Sequence, residues 1–164
     1  MGIWQLVFLG IVFLIWLLAV FMAFLRVPPL PTKAESLKDL FDLAKIKPNE
    51  VVVDLGCGDG RMLQIARDQY GAKISGWELN PVMWYLAKLR LGKKADIRMA
   101  NLWTAPIQEA DIVFVFLLPS LMSKVEKVIW PKLKPGTRII TNAFILPTTQ
   151  PTTSKNKIYI YTKM

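Results

Sequence analysis

The chain has 164 residues, enough for one domain of ordinary size and too few for a separate substrate domain beside it. It carries no histidine, which excludes Ser/His/Asp and Cys/His triads, histidine general bases and nearly every common zinc site; its one cysteine, Cys57, excludes an internal disulfide. The net charge is +9, from 21 Lys+Arg against 12 Asp+Glu, and all of these charges follow residue 25. A basic globular part is therefore expected, compatible with nucleic acid, an anionic membrane face or an acidic protein partner.

Residues 3–25 are apolar or uncharged, with Gln5 the one conspicuously polar side chain. About 23 residues at ~1.5 Å each match a hydrocarbon core roughly 30 Å thick, which predicts a transmembrane helix. No Lys or Arg precedes the apolar core and the core is long, which argues against a cleaved signal peptide. Arg26, Lys33 and Lys38 follow it, so the positive-inside tendency places the remainder on the cytoplasmic side, or on the matrix side of a mitochondrial membrane. Arg26-Val27-Pro28-Pro29-Leu30-Pro31-Thr32 is too rich in proline for helix and reads as a stiff extended connector. Leu37, Leu40, Phe41, Leu43 and Ala44 then recur at helical spacing, and Lys47-Pro48-Asn49-Glu50 turns the chain. The chain thus divides into a membrane anchor (1–26), a connector with a pre-strand helix (27–50) and a ligand-binding domain (51–164).

Val51-Val52-Val53-Asp54-Leu55 reads as a first strand that breaks into a turn with glycines at 56, 58 and 60. Alternate glycines let the backbone turn sharply and approach a bulky ligand. A dinucleotide fingerprint spaces its glycines G-x-G-x-x-G and lays a pyrophosphate on the helix N-terminus. Here Asp54 and Asp59 lie in the turn, and two carboxylates repel a pyrophosphate but suit a cationic, hydroxyl- and amine-bearing ligand. S-adenosylmethionine, with its sulfonium, ammonium and ribose diol, is such a ligand. Cys57 reads as a small filler rather than a nucleophile.

An amphipathic helix is expected over 62–70 and a second strand over Lys73–Glu78. Glu78 at its end, roughly 20 residues past the loop, can take both ribose hydroxyls of an adenosine. Asn80-Pro81 caps and opens the next helix, with Met83, Trp84, Leu86, Ala87 and Leu91 as its apolar face and Gly92 as its stop. Lys88, Arg90, Lys93 and Lys94 form a basic stretch, either a solvated face or a contact for anionic headgroups. A third strand over 96–100 leads to Asn101-Leu102-Trp103, where Asn101 is placed to hydrogen-bond an adenine edge and Trp103 either packs on the adenine or fills core. The apolar run 111–119 reads as a central parallel strand, 120–133 as a helix, 137–144 as a fifth strand and 158–161 as a closing antiparallel strand. The Pro/Thr-rich stretch 146–157 between the last two shows no periodicity. Strands alternating with helices imply an α/β, doubly wound, mostly parallel sheet with a shortened antiparallel edge and a ligand at the C-terminal strand ends.

Asp54-Leu55-Gly56-Cys57-Gly58-Asp59-Gly60 resembles the first motif of the class I S-adenosylmethionine-dependent methyltransferases, whose fold is Rossmann-like. Five further features extend the likeness over nearly the whole chain: the N-terminal span and proline segment, Trp77-Glu78-Leu79-Asn80-Pro81, Asn101-Leu102-Trp103, Phe116-Leu117-Leu118-Pro119 and Leu146-Pro147-Thr148-Thr149-Gln150-Pro151. In these it is similar to the membrane-anchored protein-lysine methyltransferases that act on ATP synthase subunit c and on the adenine nucleotide translocase, and to their prokaryotic relatives. The resemblance implies methyl transfer from S-adenosylmethionine to the ε-amine of a lysine near the membrane surface of a protein, leaving S-adenosylhomocysteine and using no metal. It places Asp54, Gly56, Cys57, Gly58, Asp59, Gly60, Glu78, Leu79, Asn80, Asn101, Leu102 and Trp103 around the cofactor. Pro28, Pro31, Thr32, Leu118 and Pro119 would border the target lysine.

Asn101 stands where an acid is common in that family, and only one strand is recognisable after the fifth. No general base is identified; a lysine loses its proton on desolvation or near positive charge. The Asn/Asp-Pro-Pro-Tyr loop of base and glutamine methylation is replaced by Leu117-Leu118-Pro119-Ser120, so a nucleic-acid acceptor is not expected. Two rivals stay open: a lipid or quinone methyltransferase, and a membrane protein that binds S-adenosylmethionine without transferring methyl groups. Intact Asp54, Glu78 and loop glycines argue against the second. The oligomeric state is not legible.

Overall fold

The uncharged N-terminal stretch forms one helix, α1 (Ile3–Phe24), in the computed structural model, which describes residues 2–24, 34–92 and 95–164. Over Ile3–Phe21 it is long and apolar enough to cross a membrane, and none of that window is buried. A helix that is apolar all round belongs in a core or in lipid. The chain divides into two units, residues 1–31 and 32–164. The proline connector, with Pro28, Pro31 and Thr32, lies outside the described residues, as do Lys93 and Lys94.

The second unit begins with α2 (Ala34–Ala44) and continues as β1 (Val51–Leu55), α3 (Arg61–Tyr70), β2 (Lys73–Glu78), α4 (Pro81–Leu91), β3 (Asp96–Met99), β4 (Ile112–Val115), α5 (Pro119–Lys124), β5 (Arg138–Asn142), β6 (Thr153–Lys155) and β7 (Ile158–Thr162). The seven strands form one sheet in the order β3-β2-β1-β4-β5-β7-β6. The first five are parallel, and β7 runs antiparallel to both β5 and β6. Strand order reverses between β1 and β4, so the crevice at their C-terminal ends is where a doubly wound sheet binds its ligand.

Successive strand residues feed opposite layers, as the period of two requires. Val52, Ile112, Phe114 and Ile140 meet Leu40, Phe41, Leu63, Ala66 and Ala87 of α2, α3 and α4. Val53, Val113, Val115 and Ile139 meet Met122, Val125, Ile129 and Leu146 on the other face. All four residues of β4 are buried, each contributing about 1.5–3 kcal/mol of apolar transfer, which makes β4 the spine of the core. Arg138 ties α2 to the sheet: it donates to Ala44 O and pairs with Glu50 at 2.6 Å, neutralising the carbonyl end of the helix.

Two local differences from the sequence reading have physical causes. The helix expected over 120–133 is broken into α5, a π-turn at Val125–Ile129 and a 3₁₀ turn at Trp130–Lys132. Pro131 lacks the N–H that an α-turn would donate, and the preceding turn widens, with Trp130 N donating to Val125 O. The stretch 146–157 contains β6, whose three exposed residues have no apolar alternation to reveal them. Between β3 and β4 the chain forms a 3₁₀ turn at Leu102–Thr104, with no helix, in keeping with the sequence reading.

Candidate active site

β1 and β2 deliver two carboxylates to the same end of the sheet. Asp54 pairs with Gly76 across the β1–β2 ladder, and Glu78 is the last residue of β2. Both are buried. Beyond β1 the backbone turns through Gly56 at φ +93° and Gly58 at φ +55°, and Gly56 N and Cys57 N donate to Trp77 O at 2.8 and 3.1 Å. A Cβ on Gly58 would meet nothing within 4 Å, so the turn leaves open space beside the carboxylates. Gly60 differs: a Cβ there would lie 2.8 Å from Leu91 Cδ1 and 3.1 Å from Ala87 Cβ. The third glycine of the motif therefore serves the packing of α3 against α4, and the first two shape the cradle.

Glu78 fixes the loop as well as facing it. Its Oε2 accepts from Gly58 N and its Oε1 from Asn80 N, each at 2.8 Å. Each oxygen keeps a second lone pair, enough for the two hydroxyls of a ribose. Asn80 in turn caps α4, its Oδ1 accepting from Val82 N and Met83 N. Leu79, between them, is exposed.

Asp54 accepts no hydrogen bond from any described residue. Burial, reinforced by Glu78 and Asp59, pushes its carboxyl up to about 8. A buried acid with no donor among the described residues, beside open space, is fitted to receive a cation. Asp59 is committed elsewhere: its Oδ2 pairs with Arg90 at 2.9 Å and Arg61 at 3.2 Å, and Arg90 Nε donates to Asp59 O, stitching the glycine turn to α4. Cys57 is buried, and burial beside Asp54 and Glu78 pushes its thiol well up, so it stays a protonated filler. The same packing makes Gly76 obligatory, since a Cβ there would meet Cys57 Sγ and Leu63 Cδ1 at 2.8 Å.

At the end of β3, Asn101 is exposed and uses its Oδ1 to accept from Trp103 N at 3.2 Å, leaving the amide nitrogen for an outside acceptor. Leu102 and Trp103 are half-buried against the second core layer. Lys124 Nζ lies 4.3 Å from the centroid of the Trp103 ring. After β4, Leu117 reaches back to the loop, its Cδ2 3.5 Å from the Cβ position of Gly56; Leu118 and Pro119 follow, Pro119 opening α5. The described part of the sheet end thus brings Asp54, Gly56, Gly58, Glu78 and Leu117 together at the C-terminal ends of β1, β2 and β4, with open space beside Gly58. Neither Arg90 as the anchor of Asp59 nor Leu117 over Gly56 was legible in advance, since both contacts join elements far apart in sequence. Among the described residues no group of three His, Cys, Asp or Glu side chains is placed to hold a metal ion.

A mostly parallel Rossmann-like sheet with acids at the ends of β1 and β2 and a glycine cradle between them defines a class I S-adenosylmethionine-dependent methyltransferase. The ANTKMT methyltransferase domain matches residues 54–153, and the chain belongs to that family. A protein-lysine N-methyltransferase of Saccharolobus islandicus is 29% identical over 125 residues, covering 73% of this chain and 78% of that protein. The adenine nucleotide translocase lysine N-methyltransferase of Mus musculus is 35% identical over 133 residues, covering 77% of this chain and 57% of the mouse protein. Among solved structures, the RNA methyltransferase of Salinibacter ruber in complex with S-adenosylhomocysteine superposes with a TM-score of 0.75 at 27% identity, covering 82% of this chain and 94% of that one. The cradle, the buried acids and this likeness agree on S-adenosylmethionine as cofactor.

Proposed function

We propose that the chain methylates the ε-amine of a lysine in a membrane protein, with α1 anchoring it in the bilayer and its second unit on the cytoplasmic or matrix side. S-adenosylmethionine supplies a methyl group carried on a sulfonium. The residues of this chain bind, orient and exclude water. Glu78 takes the ribose hydroxyls on its free lone pairs, Asp54 faces the cationic end of the cofactor, and Asn101 offers its amide to the adenine edge.

One observation carries the choice of acceptor: Leu117 lies against Gly56, and the chain leaves it through Leu118-Pro119, an apolar and uncharged segment that would form the lip of the cradle. An apolar lip admits the methylene stem of a lysine and lowers the pKa of its amine, so that the neutral form needed for attack is present without a dedicated base. Pro28, Pro31 and Thr32 would complete the channel from the membrane side. The names of the archaeal and mouse relatives support lysine, and the uncharged N-terminal helix supports a membrane setting.

An RNA acceptor is the second reading, supported by the Salinibacter likeness and the net charge of +9. Incubating the full chain in detergent with methyl-labelled S-adenosylmethionine, host membranes and total RNA separates the two. Label in protein is expected; label in RNA selects the second reading, and label in lipid refutes both.

A further inference from the structure

α4 is apolar on two opposite sides. Ala87 and Leu91 are buried against the sheet and α3, while Val82, Tyr85, Leu86 and Leu89 are exposed, at 38%, 57%, 41% and 64%. Their spacing of i, i+3, i+4 and i+7 gathers these four into one stripe about 100° wide. Leu79 and Met99, at the adjoining ends of β2 and β3 and beside Glu78, are exposed as well. Beyond α1, the large exposed apolar side chains among the described residues fall mostly on this one face; Ile145 and Met164 are the others. A helix on a water-facing surface would carry polar residues there, and scattered single exposures would need no explanation, whereas a contiguous face does.

Charge points to what covers it. From Leu79 to Ala95 the sequence holds Lys88, Arg90, Lys93 and Lys94 and no acidic residue. On a helical wheel Lys88 and Arg90 flank the stripe on its two sides; Arg90 is held by Asp59, whereas Lys88 has no carboxylate partner among the described residues and supplies the cation on its flank. An apolar stripe bordered by basic residues with long methylene stems is the pattern of a helix lying in the headgroup layer of a membrane.

We infer that the outer face of α4 is a membrane-docking surface, which lays Val82, Tyr85, Leu86 and Leu89 into an anionic lipid leaflet beside the mouth of the active site. This rests on the anchored reading of α1 given above. It also gives that reading a purpose, because a domain seated on its α4 presents its cradle to lysines at the membrane surface rather than in bulk water.

The test uses the full chain in lipid nanodiscs, with an environment-sensitive dye on Leu89→Cys and, as control, on Gln108→Cys, an exposed position at the opposite end of the sheet; buried Cys57 is not labelled. Nitroxide lipids should quench the dye at 89 several-fold more than at 108 and shift its emission to shorter wavelength. Replacing phosphatidylglycerol by phosphatidylcholine should reduce the quenching, as should Leu86→Glu. A chain that fails to enter the nanodisc refutes the anchor itself. A chain that enters, yet is quenched equally at 89 and 108, overturns the docking surface and leaves the anchor standing. Quenching at 89 that ignores lipid charge, or shielding of the dye by a second copy in lipid-free solution, also overturns it.

Discussion

Glu78→Gln separates the two tasks assigned to that side chain. Glu78 accepts two backbone N–H groups, from Gly58 and Asn80, each at 2.8 Å. In glutamine one oxygen becomes an NH₂ that faces a donor, so one of these bonds is lost and a largely buried N–H is left without an acceptor. That costs about 1–3 kcal/mol of stability, or roughly 4–12 °C in Tm for a domain of this size. The same change removes an acceptor for one ribose hydroxyl, a charge-assisted bond of about 1.5–3 kcal/mol, so S-adenosylhomocysteine should bind about 10- to 150-fold more weakly. Melting with and without ligand, together with titration calorimetry, reads both effects. A variant that melts earlier but binds S-adenosylhomocysteine as tightly as the parent would show that Glu78 only holds the loop. A variant unchanged in both would refute the site as drawn.

Gly60→Ala should destabilise by about 1–3 kcal/mol through overpacking against Leu91 and Ala87, with further cost from a left-handed φ of +77°, while Gly58→Ala, whose Cβ enters open space, should cost only the roughly 1–2 kcal/mol of its own left-handed φ of +55° and should weaken ligand binding as well. Asp54, with its carboxyl raised to about 8, holds a proton in the folded chain that the unfolded chain releases near pH 4. The stability of the unliganded protein should therefore fall as pH rises from about 4 to about 8 and level off above, and Asp54→Asn should flatten that slope in urea melts taken across the range. Because a cation favours the charged acid, binding of S-adenosylmethionine below pH 8 should release a proton, visible as a buffer-dependent calorimetric heat; no such dependence would remove Asp54 from the cationic end. Replacing residues 27–32 with a Gly/Ser linker should cut methylation of membrane substrates far more than cofactor affinity, and equal activity would reduce the segment to a spacer.

The glycine turn, the strand-end acids and the Asn80-Pro81 helix start were legible because each is set by local backbone chemistry: positive φ, a side-chain cap, a proline at the first turn. The fully apolar β4 could be read as a central strand for a similar reason, being buried on both faces. What could not be read depended on contacts distant in sequence. Leu86 counts as apolar in any periodicity, yet only the position of α4 on the sheet shows that it faces outward. Arg90 looked like part of a solvated basic run and instead holds Asp59, 31 residues away. Glu126, whose carboxylate accepts Thr148 N and Thr149 N, fastens the Pro/Thr-rich stretch from a helix whose regular spacing hid the π-turn.

The most direct measurement is mass spectrometry of membrane proteins after incubation with the purified full chain and S-adenosylmethionine bearing a heavy methyl group. The heavy methyl is expected on the ε-amine of a lysine close to a membrane boundary, and Glu78→Ala should abolish it. Methyl transfer to RNA, to lipid or to lysines scattered over soluble proteins would contradict the proposed function.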